Sequence, residues 1–113
     1  MARQEGNIDA ARAELEEAVR TNPENASAQA ELGTLYLQTG NLEQARTVLE
    51  QAVKVAPTVS QYHYHLALTY ARLGQQGPAH TEMETYNRLR QAEDEEKKSR
   101  SSASQPSTTA PQP

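Results

Sequence analysis

The sequence predicts an all-α fold built from stacked helix-turn-helix units. Two observations predict it. Residues recur every 34 positions, and the apolar residues within each unit follow the spacing of amphipathic helices. Recurring sets are Gly6, Gly40 and Gly74; Ala11, Ala45 and Ala79; Leu15, Leu49 and Met83; Pro23 and Pro57; Leu32 and Leu66; and Tyr36 and Tyr70. A fixed period of this length is typical of helical repeat arrays, which make surfaces and rarely perform chemistry.

The composition suits such an array better than a large globular core. The chain has 113 residues, is 35% hydrophobic and 23% charged, and contains no Cys, Trp or Phe. The net charge of −4 does not favour a nucleic-acid partner. No stretch approaches the roughly 20 apolar residues that span a bilayer, so we expect no membrane insertion. Composition leaves the compartment open, and we favour a soluble protein of the cytoplasm over one of the periplasm.

The complete unit, residues 26–59, is predicted to form two helices joined by a tight turn. Asn25 can cap the first helix, because its side chain can accept from free first-turn N–H groups. Gly40 supplies the turn, and Asn41 caps the second helix. Pro57 ends that helix because proline cannot continue the hydrogen-bond ladder.

The apolar residues of this unit lie at helical spacing on one face of each helix. Small residues at Gly33, Ala45 and Ala52 allow two backbones to approach closely, and larger side chains fill the space beside them. These larger side chains are Leu32, Tyr36 and Leu49. We therefore expect the two helices to pack against each other along these faces.

The two ends depart from this pattern. Residues 1–25 keep only half a unit: residues 1–5 match the last turn of a first helix, and the second helix, expected at 8–21, lacks its partner. Either something else covers that helix, or the chain is a fragment of a longer array. The terminal unit, residues 60–98, has no proline after its second helix, so we expect that helix to continue as a polar capping helix. Residues 99–113, rich in Ser, Thr and Pro, should form a disordered tail.

The pattern resembles the tetratricopeptide repeat family. The family unit carries Leu-Gly, then Tyr, Gly, Ala, a large residue, Ala and Pro. The complete unit has Leu32, Gly33, Tyr36, Gly40, Ala45, Leu49, Ala52 and Pro57 at these positions. The terminal unit has Leu66, Ala67, Tyr70, Gly74, Ala79, Met83 and Tyr86, and the first half-unit has Gly6, Ala11, Leu15, Ala18 and Pro23. Gln29 and His63 stand where the family often has Trp. The resemblance implies a right-handed superhelical array of about five helices.

The resemblance also implies a non-enzymatic interaction module or scaffold that binds a peptide or partner helix in a concave groove. The groove positions carried over from the family are Ser27, Ala30, Thr34, Leu37, Gln38, Gln61, Tyr64, Leu68, Ala71 and Arg72. Tyr and Arg are frequent at binding hot spots, which singles out Tyr64 and Arg72. The alternative for Tyr64 is a half-exposed side chain that only shields the groove.

One ligand of the family does not fit these residues. Some members clamp the C-terminal carboxylate of heat-shock chaperones with Lys, Asn and Arg. The corresponding positions here hold Ala30, Glu31, Thr34, Gln61 and His65. None of them is a fixed cation, and Glu31 opposes a carboxylate. The resemblance therefore does not extend to a chaperone partner of this kind.

No catalytic residue, metal site or cofactor is predicted. His63 and His65 are two residues apart on a helix, so they point in different directions and cannot chelate one ion. His80 and Glu84 make only two ligands. Five glutamates are expected on solvated helix faces: Glu14, Glu16, Glu17, Glu43 and Glu50. Two alternatives to groove binding remain: a homo-oligomer formed through the unpaired first helix, and a docking segment of a larger multidomain protein.

Overall fold

Five α-helices form an elongated stack in the computed structural model, which describes residues 2–104 and the side chains of residues 7–100. They are α1 (Ala2–Thr21), α2 (Ala26–Gln38), α3 (Leu42–Val55), α4 (Ser60–Arg72) and α5 (Gln76–Ser104). Each helix packs against the next, and α2 also contacts α4. The overall dimensions are 66 × 34 × 30 Å. The predicted all-α array of helix pairs is confirmed.

The two predicted glycine turns have the same hydrogen bonds. Gly40 and Gly74 have φ angles of 81° and 80°, in the left-handed region that favours glycine. In both turns, the N–H of the residue after the glycine donates to the carbonyl of the tyrosine four residues before the glycine, at 2.8 Å. This bond satisfies a carbonyl that the helix end leaves unpaired. The 34-residue period therefore repeats the backbone geometry as well as the residue types.

The two predicted asparagine caps differ. The Oδ1 atom of Asn25 accepts from the N–H of Ala28 at 3.0 Å, as expected of an N-cap. Asn41 occupies the N-cap position of α3, but its side chain makes no capping hydrogen bond. Its Nδ2 atom instead donates to the Thr39 hydroxyl at 2.9 Å. The predicted position of this cap is right and its hydrogen bond is wrong, because the Asn41 amide is oriented by its contact with Thr39 and its Oδ1 atom accepts from no first-turn N–H.

The core lies where α2, α3 and α4 meet. Leu49 of α3 is fully buried and Leu66 of α4 is 1% exposed. Gly33 brings α2 so close to α3 that a Cβ atom at this position would lie 2.5 Å from the Cγ atom of Leu49. The close approach expected from the small residues is therefore present, and only glycine fits there without a shift.

Both ends of the array differ from the prediction. α1 is one helix from Ala2, and Gly6 lies inside it rather than in a turn before residues 8–21. At Gly6 the helical hydrogen bonding continues, and it outweighs the roughly 1 kcal/mol cost of a helical glycine. α5 likewise continues to Ser104. Residues 99–104 of the predicted tail are therefore helical, and residues 105–113 lie outside the described part of the chain.

Candidate binding groove

The predicted groove residues lie on α2 and α4, the first helices of the complete and terminal repeats, and these two helices contact each other. A hydrogen bond joins the two sets directly. The Nη1 atom of Arg72 donates to the carbonyl oxygen of Leu37 at 3.4 Å. The array therefore brings residues that are 35 positions apart in sequence onto one surface.

The α2 part of the groove offers little apolar surface. Ala30 and Leu37 are 7% and 6% exposed, and both belong to the hydrophobic core. Thr34 is half-buried, and its hydroxyl donates to the carbonyl of Ala30 at 2.9 Å. Ser27 and Gln38 are exposed. On this helix, the positions carried over from the family mainly support the fold.

The α4 part of the groove is more accessible. Tyr64 is half-buried, and its ring lies 5.1 Å from the ring of Tyr86 on α5 and 5.6 Å from that of His65. Leu68 is half-buried and packs against the core. Gln61, Ala71 and Arg72 are exposed. The surface available to a ligand is thus a small apolar patch at Tyr64 and Leu68, bordered by polar side chains.

Two tyrosine–glutamate hydrogen bonds tie successive repeats together. The hydroxyl of Tyr36 donates to Glu16 at 2.6 Å, and that of Tyr70 donates to Glu50 at 2.6 Å. The expectation that these two glutamates are merely solvated is therefore wrong. The sequence did contain a signal, because the two glutamates are themselves 34 residues apart and each precedes its tyrosine by 20.

The environment of both tyrosines disfavours their ionisation. Burial raises the pKa of Tyr36 to about 12, and the carboxylate of Glu16, which accepts its hydrogen bond, adds to the rise. Burial also raises the pKa of Tyr70 far above its ordinary value, with further contributions from Glu50 and Glu82. A phenolate would lose the hydrogen bond and repel the carboxylate. The two hydroxyls therefore act as fixed donors at neutral pH.

His63 joins the two helices of the terminal repeat to the loop that precedes them. Its side chain is 10% exposed. Its Nε2 atom lies 2.7 Å from the carbonyl oxygen of Pro57 in the α3–α4 loop, and its Nδ1 atom lies 2.6 Å from a carboxylate oxygen of Glu82 on α5. The imidazole thus occupies the position where the family often has Trp and replaces apolar packing with two polar contacts.

The structure also shows what surrounds the other features considered from sequence. His80 lies 3.1 Å from Glu84 on the surface of α5. Among the described residues, no three His, Cys, Asp or Glu side chains form a group that could hold a metal ion. No helix in the described part of the chain is both long and apolar enough to cross a membrane.

An open depression of about 250 Å³ lies between α2 and α3, outside the predicted groove. It is lined by Tyr36, Glu43, Gln44, Thr47 and Val48. Sequence reasoning did not identify it, because its residues come from the sides of two helices and share no motif.

Comparison with known proteins agrees with this architecture. A family model described as tetratricopeptide repeat matches residues 2–69. No curated protein matches the chain. Among solved structures, MamA AMB-1 is 23% identical with a TM-score of 0.73, and the alignment covers 78% of this chain and 48% of that one.

Two further MamA structures are similar. MamA MSR-1 is 22% identical with a TM-score of 0.71, and the alignment covers 80% of this chain and 52% of that chain. A double mutant named MamA RS-1 ArsTM is 26% identical with a TM-score of 0.73, covering 79% of this chain and 50% of the other. This chain thus spans about half the length of the MamA chains that it matches. Because the family model matches more than half of the sequence, the chain belongs to the tetratricopeptide repeat family.

Proposed function

We propose that this protein is an interaction scaffold that binds a peptide or a partner helix through the patch at Tyr64 and Leu68. The observation that carries the proposal is the half-buried pair of apolar side chains on α4, bordered by exposed Gln61 and Arg72. Large amphipathic and apolar side chains surrounded by a polar rim are characteristic of binding hot spots. Membership of a repeat family and the shared fold of the MamA structures support the proposal.

The chemistry of the patch favours a ligand with an apolar side chain and a nearby acceptor. Tyr64 offers an aromatic face and a hydroxyl, and Leu68 adds apolar area beside it. Arg72 has five N–H donors, and one of its nitrogens contacts Leu37. A backbone carbonyl or a carboxylate of the ligand could accept from the same guanidinium. The proposal assigns the protein binding without catalysis or a cofactor.

The test compares capture of proteins from cell extract by three forms of the chain. Ala71→Arg places a long charged side chain in the groove, and Gln51→Arg places the same side chain at an exposed position on α3. Circular dichroism confirms that all three are folded. We expect the parent and Gln51→Arg to retain a partner that Ala71→Arg loses. Equal capture by all three would refute the groove proposal.

Self-association through α1 is a second candidate. Ala11, Leu15 and Ala18 of α1 are half-buried. The residues 34 positions later in α3 are 0% exposed. Sedimentation at high protein concentration tests this candidate, since a monomer under those conditions excludes it. A docking role within a larger multidomain protein is the remaining alternative, and the extent of the encoding reading frame decides it.

A further inference from the structure

Both ring nitrogens of His63 face oxygen atoms that accept hydrogen bonds. Its Nε2 atom lies 2.7 Å from the carbonyl oxygen of Pro57, and its Nδ1 atom lies 2.6 Å from a carboxylate oxygen of Glu82. The side chains of His63 and Glu82 are only 10% and 20% exposed. The contact therefore lies largely inside the terminal repeat, where water cannot easily take the place of either partner.

A neutral imidazole cannot satisfy both oxygens. It carries one N–H donor and one bare nitrogen that only accepts. A carbonyl oxygen and an ionised carboxylate also only accept. With both groups in these forms, one nitrogen lone pair of His63 would face an oxygen lone pair at 2.6 or 2.7 Å. The contact therefore requires one proton more than a neutral imidazole and a carboxylate carry.

The imidazolium form of His63 holds this proton best. Both of its nitrogens donate, and the contact with Glu82 becomes a charge-assisted hydrogen bond, which is shorter and stronger than a neutral one. A protonated Glu82 that donates to Nδ1 would hold the same number of protons. Either form satisfies both oxygens, and the surrounding charges distinguish the two.

Carboxylates outnumber cations around this contact, which favours the imidazolium. Three charged side chains act on the hydroxyl of Tyr70, two turns after His63 on α4: Glu82 of α5, and Glu50 and Arg46 of α3. The Arg46 guanidinium already pairs with Glu43 at 2.6 Å. The other charged side chains of α2, α3 and α5 in the described part of the chain are exposed, among them Glu31, Lys54 and His80.

The exposed histidine–glutamate pair on α5 lacks this requirement. His80 lies 3.1 Å from Glu84, and the side chains are 76% and 66% exposed. The contact involves the Nε2 atom of His80 alone. A neutral ring can donate from that nitrogen and leave its other nitrogen to water. His80 therefore serves as an internal reference for an ordinary histidine.

The complete repeat solves the same geometry without a proton. Gln29 stands at the position of His63, and Val48 stands at the position of Glu82. The side-chain amide of Gln29 donates to the carbonyl of Pro23. An amide is a donor at every pH, so this contact does not depend on protonation. The requirement for a proton thus belongs to the terminal repeat and not to the repeat pattern.

We propose that His63 and Glu82 form a proton-dependent clasp between α4 and α5. With the proton bound, the imidazole holds both the carboxylate of α5 and the carbonyl that precedes α4. When the proton leaves, one of the two contacts becomes repulsive and α5 is held less tightly. The clasp is closed in mildly acidic solution and opens as the pH rises.

Proton linkage sets the direction of this pH effect. In the unfolded chain, an ordinary histidine is mostly neutral above about pH 6.5. A folded chain that still holds the proton there binds more protons than the unfolded chain, so its stability falls as the pH rises. For one retained proton, the folding equilibrium constant falls by up to about tenfold per pH unit until the clasp has opened.

The clasp lies beside the patch proposed to bind a ligand. Tyr64 follows His63 on α4. Tyr86 follows Glu82 by about one turn on α5, and its ring lies 5.1 Å from that of Tyr64. A looser α5 would therefore change the patch. The retained proton involves no partner and does not rest on the proposed function, whereas its consequence for the patch does.

Nitrogen NMR of the isotope-labelled full chain tests the proton directly. At about pH 7.5, above the range in which an ordinary histidine is charged, we expect both ring nitrogens of His63 to carry protons. The exposed ring of His80 in the same spectrum is the reference. Carbon NMR of the Glu82 carboxyl group should show it ionised.

Urea denaturation between about pH 6 and 9 measures what the clasp contributes. The parent should lose stability across this range. Glu82→Gln should lose less of it, because its amide can donate to a bare Nδ1 and so satisfies a neutral imidazole. His63→Gln, which copies the complete repeat, should also lose less. His80→Gln removes only the exposed pair and should follow the parent.

Two results would overturn the proposal. One is a His63 ring with a bare nitrogen beside an ionised Glu82 at about pH 7.5. The other is an equal pH dependence of the parent and both clasp variants, all shown to be folded by circular dichroism. A bare nitrogen beside a protonated Glu82 would support the clasp and place its proton on the carboxyl oxygen. Failure of the groove variant to lose a partner would leave the clasp unaffected.

Discussion

The complete repeat and the terminal repeat hold the start of their first helices by the same contact. In the complete repeat, the side-chain amide of Gln29 donates to the carbonyl of Pro23. In the terminal repeat, the imidazole of His63 lies 2.7 Å from the carbonyl of Pro57. Each polar side chain follows its proline by six residues. In both repeats, the side chain six residues after the proline therefore contacts the carbonyl oxygen of that proline. Glutamine makes this contact in the complete repeat and histidine makes it in the terminal repeat.

The second contact of each side chain differs. His63 also reaches Glu82, whereas the Oε1 atom of Gln29 has no hydrogen-bond partner among the described residues. The position equivalent to Glu82 in the complete repeat holds Val48, which has no polar group. The inner repeat thus relies on apolar packing between Gly33 and Leu49, while the end of the array adds a polar bridge. This bridge adds a polar contact between α4 and α5 to the apolar packing of the terminal repeat.

Gly33→Ala tests the apolar packing and should have the largest effect. The added methyl would lie 2.5 Å from Leu49 Cγ. We expect a loss of about 3 kcal/mol in the free energy of unfolding, measured by urea denaturation followed by circular dichroism. Gly77→Ala is the matched control, because that helical glycine has nothing within 4 Å of an added Cβ. It should be up to about 1 kcal/mol more stable than the parent. A Gly33→Ala protein as stable as the parent would show that α2 and α3 can separate without cost.

Glu82→Val tests the polar bridge by giving the terminal repeat the residue type of the complete repeat. The buried His63 would lose one of its two partners, and we expect a loss of about 1 to 2 kcal/mol in the same assay. Glu84→Val is the control on the same helix. Its carboxylate pairs with His80, and both side chains are mostly exposed, so the change should stay within about 0.5 kcal/mol. Equal effects of the two substitutions would mean that the bridge contributes nothing beyond a surface pair.

Both repeats share the tyrosine–glutamate hydrogen bonds, and removing one should have the smallest effect on stability at neutral pH. We expect Tyr36→Phe or Tyr70→Phe to lower the free energy of unfolding by about 1 kcal/mol. The raised pKa of Tyr36, about 12, means that the folded state holds the phenolic proton more tightly than the unfolded state. This stabilisation is complete below pH of about 10, the ordinary tyrosine pKa, and is lost as pH rises through about 12.

Urea denaturation between pH 9 and 12 measures this dependence. The parent should lose stability across the range, and the double variant Tyr36→Phe/Tyr70→Phe should lose less of it. Identical pH profiles for the two proteins would contradict the assignment of these hydroxyls as buried donors.

Part of the candidate site was predictable from sequence and part was not. The groove positions follow from the repeat register, and the register placed Tyr64, Leu68 and Arg72 on the accessible side of α4. It could not reveal that Ala30 and Leu37 are buried, because burial depends on how closely neighbouring helices approach. The roles of the residues as ligand contacts stay predictions until binding is measured.

The sequence by itself determined the helical array. Turns at Gly40 and Gly74, the cap at Asn25 and the close approach at Gly33 depend on local backbone conformation and side-chain size, which residue identity sets directly. Tertiary structure alone decided the rest. α1 continues through Gly6, whereas the glycines at the same repeat position, Gly40 and Gly74, form turns. Glu16 and Glu50 accept hydrogen bonds because the first helix of the next repeat places a tyrosine hydroxyl beside each of them. These outcomes depend on which surfaces find a neighbour, and a local pattern of residues does not contain that information.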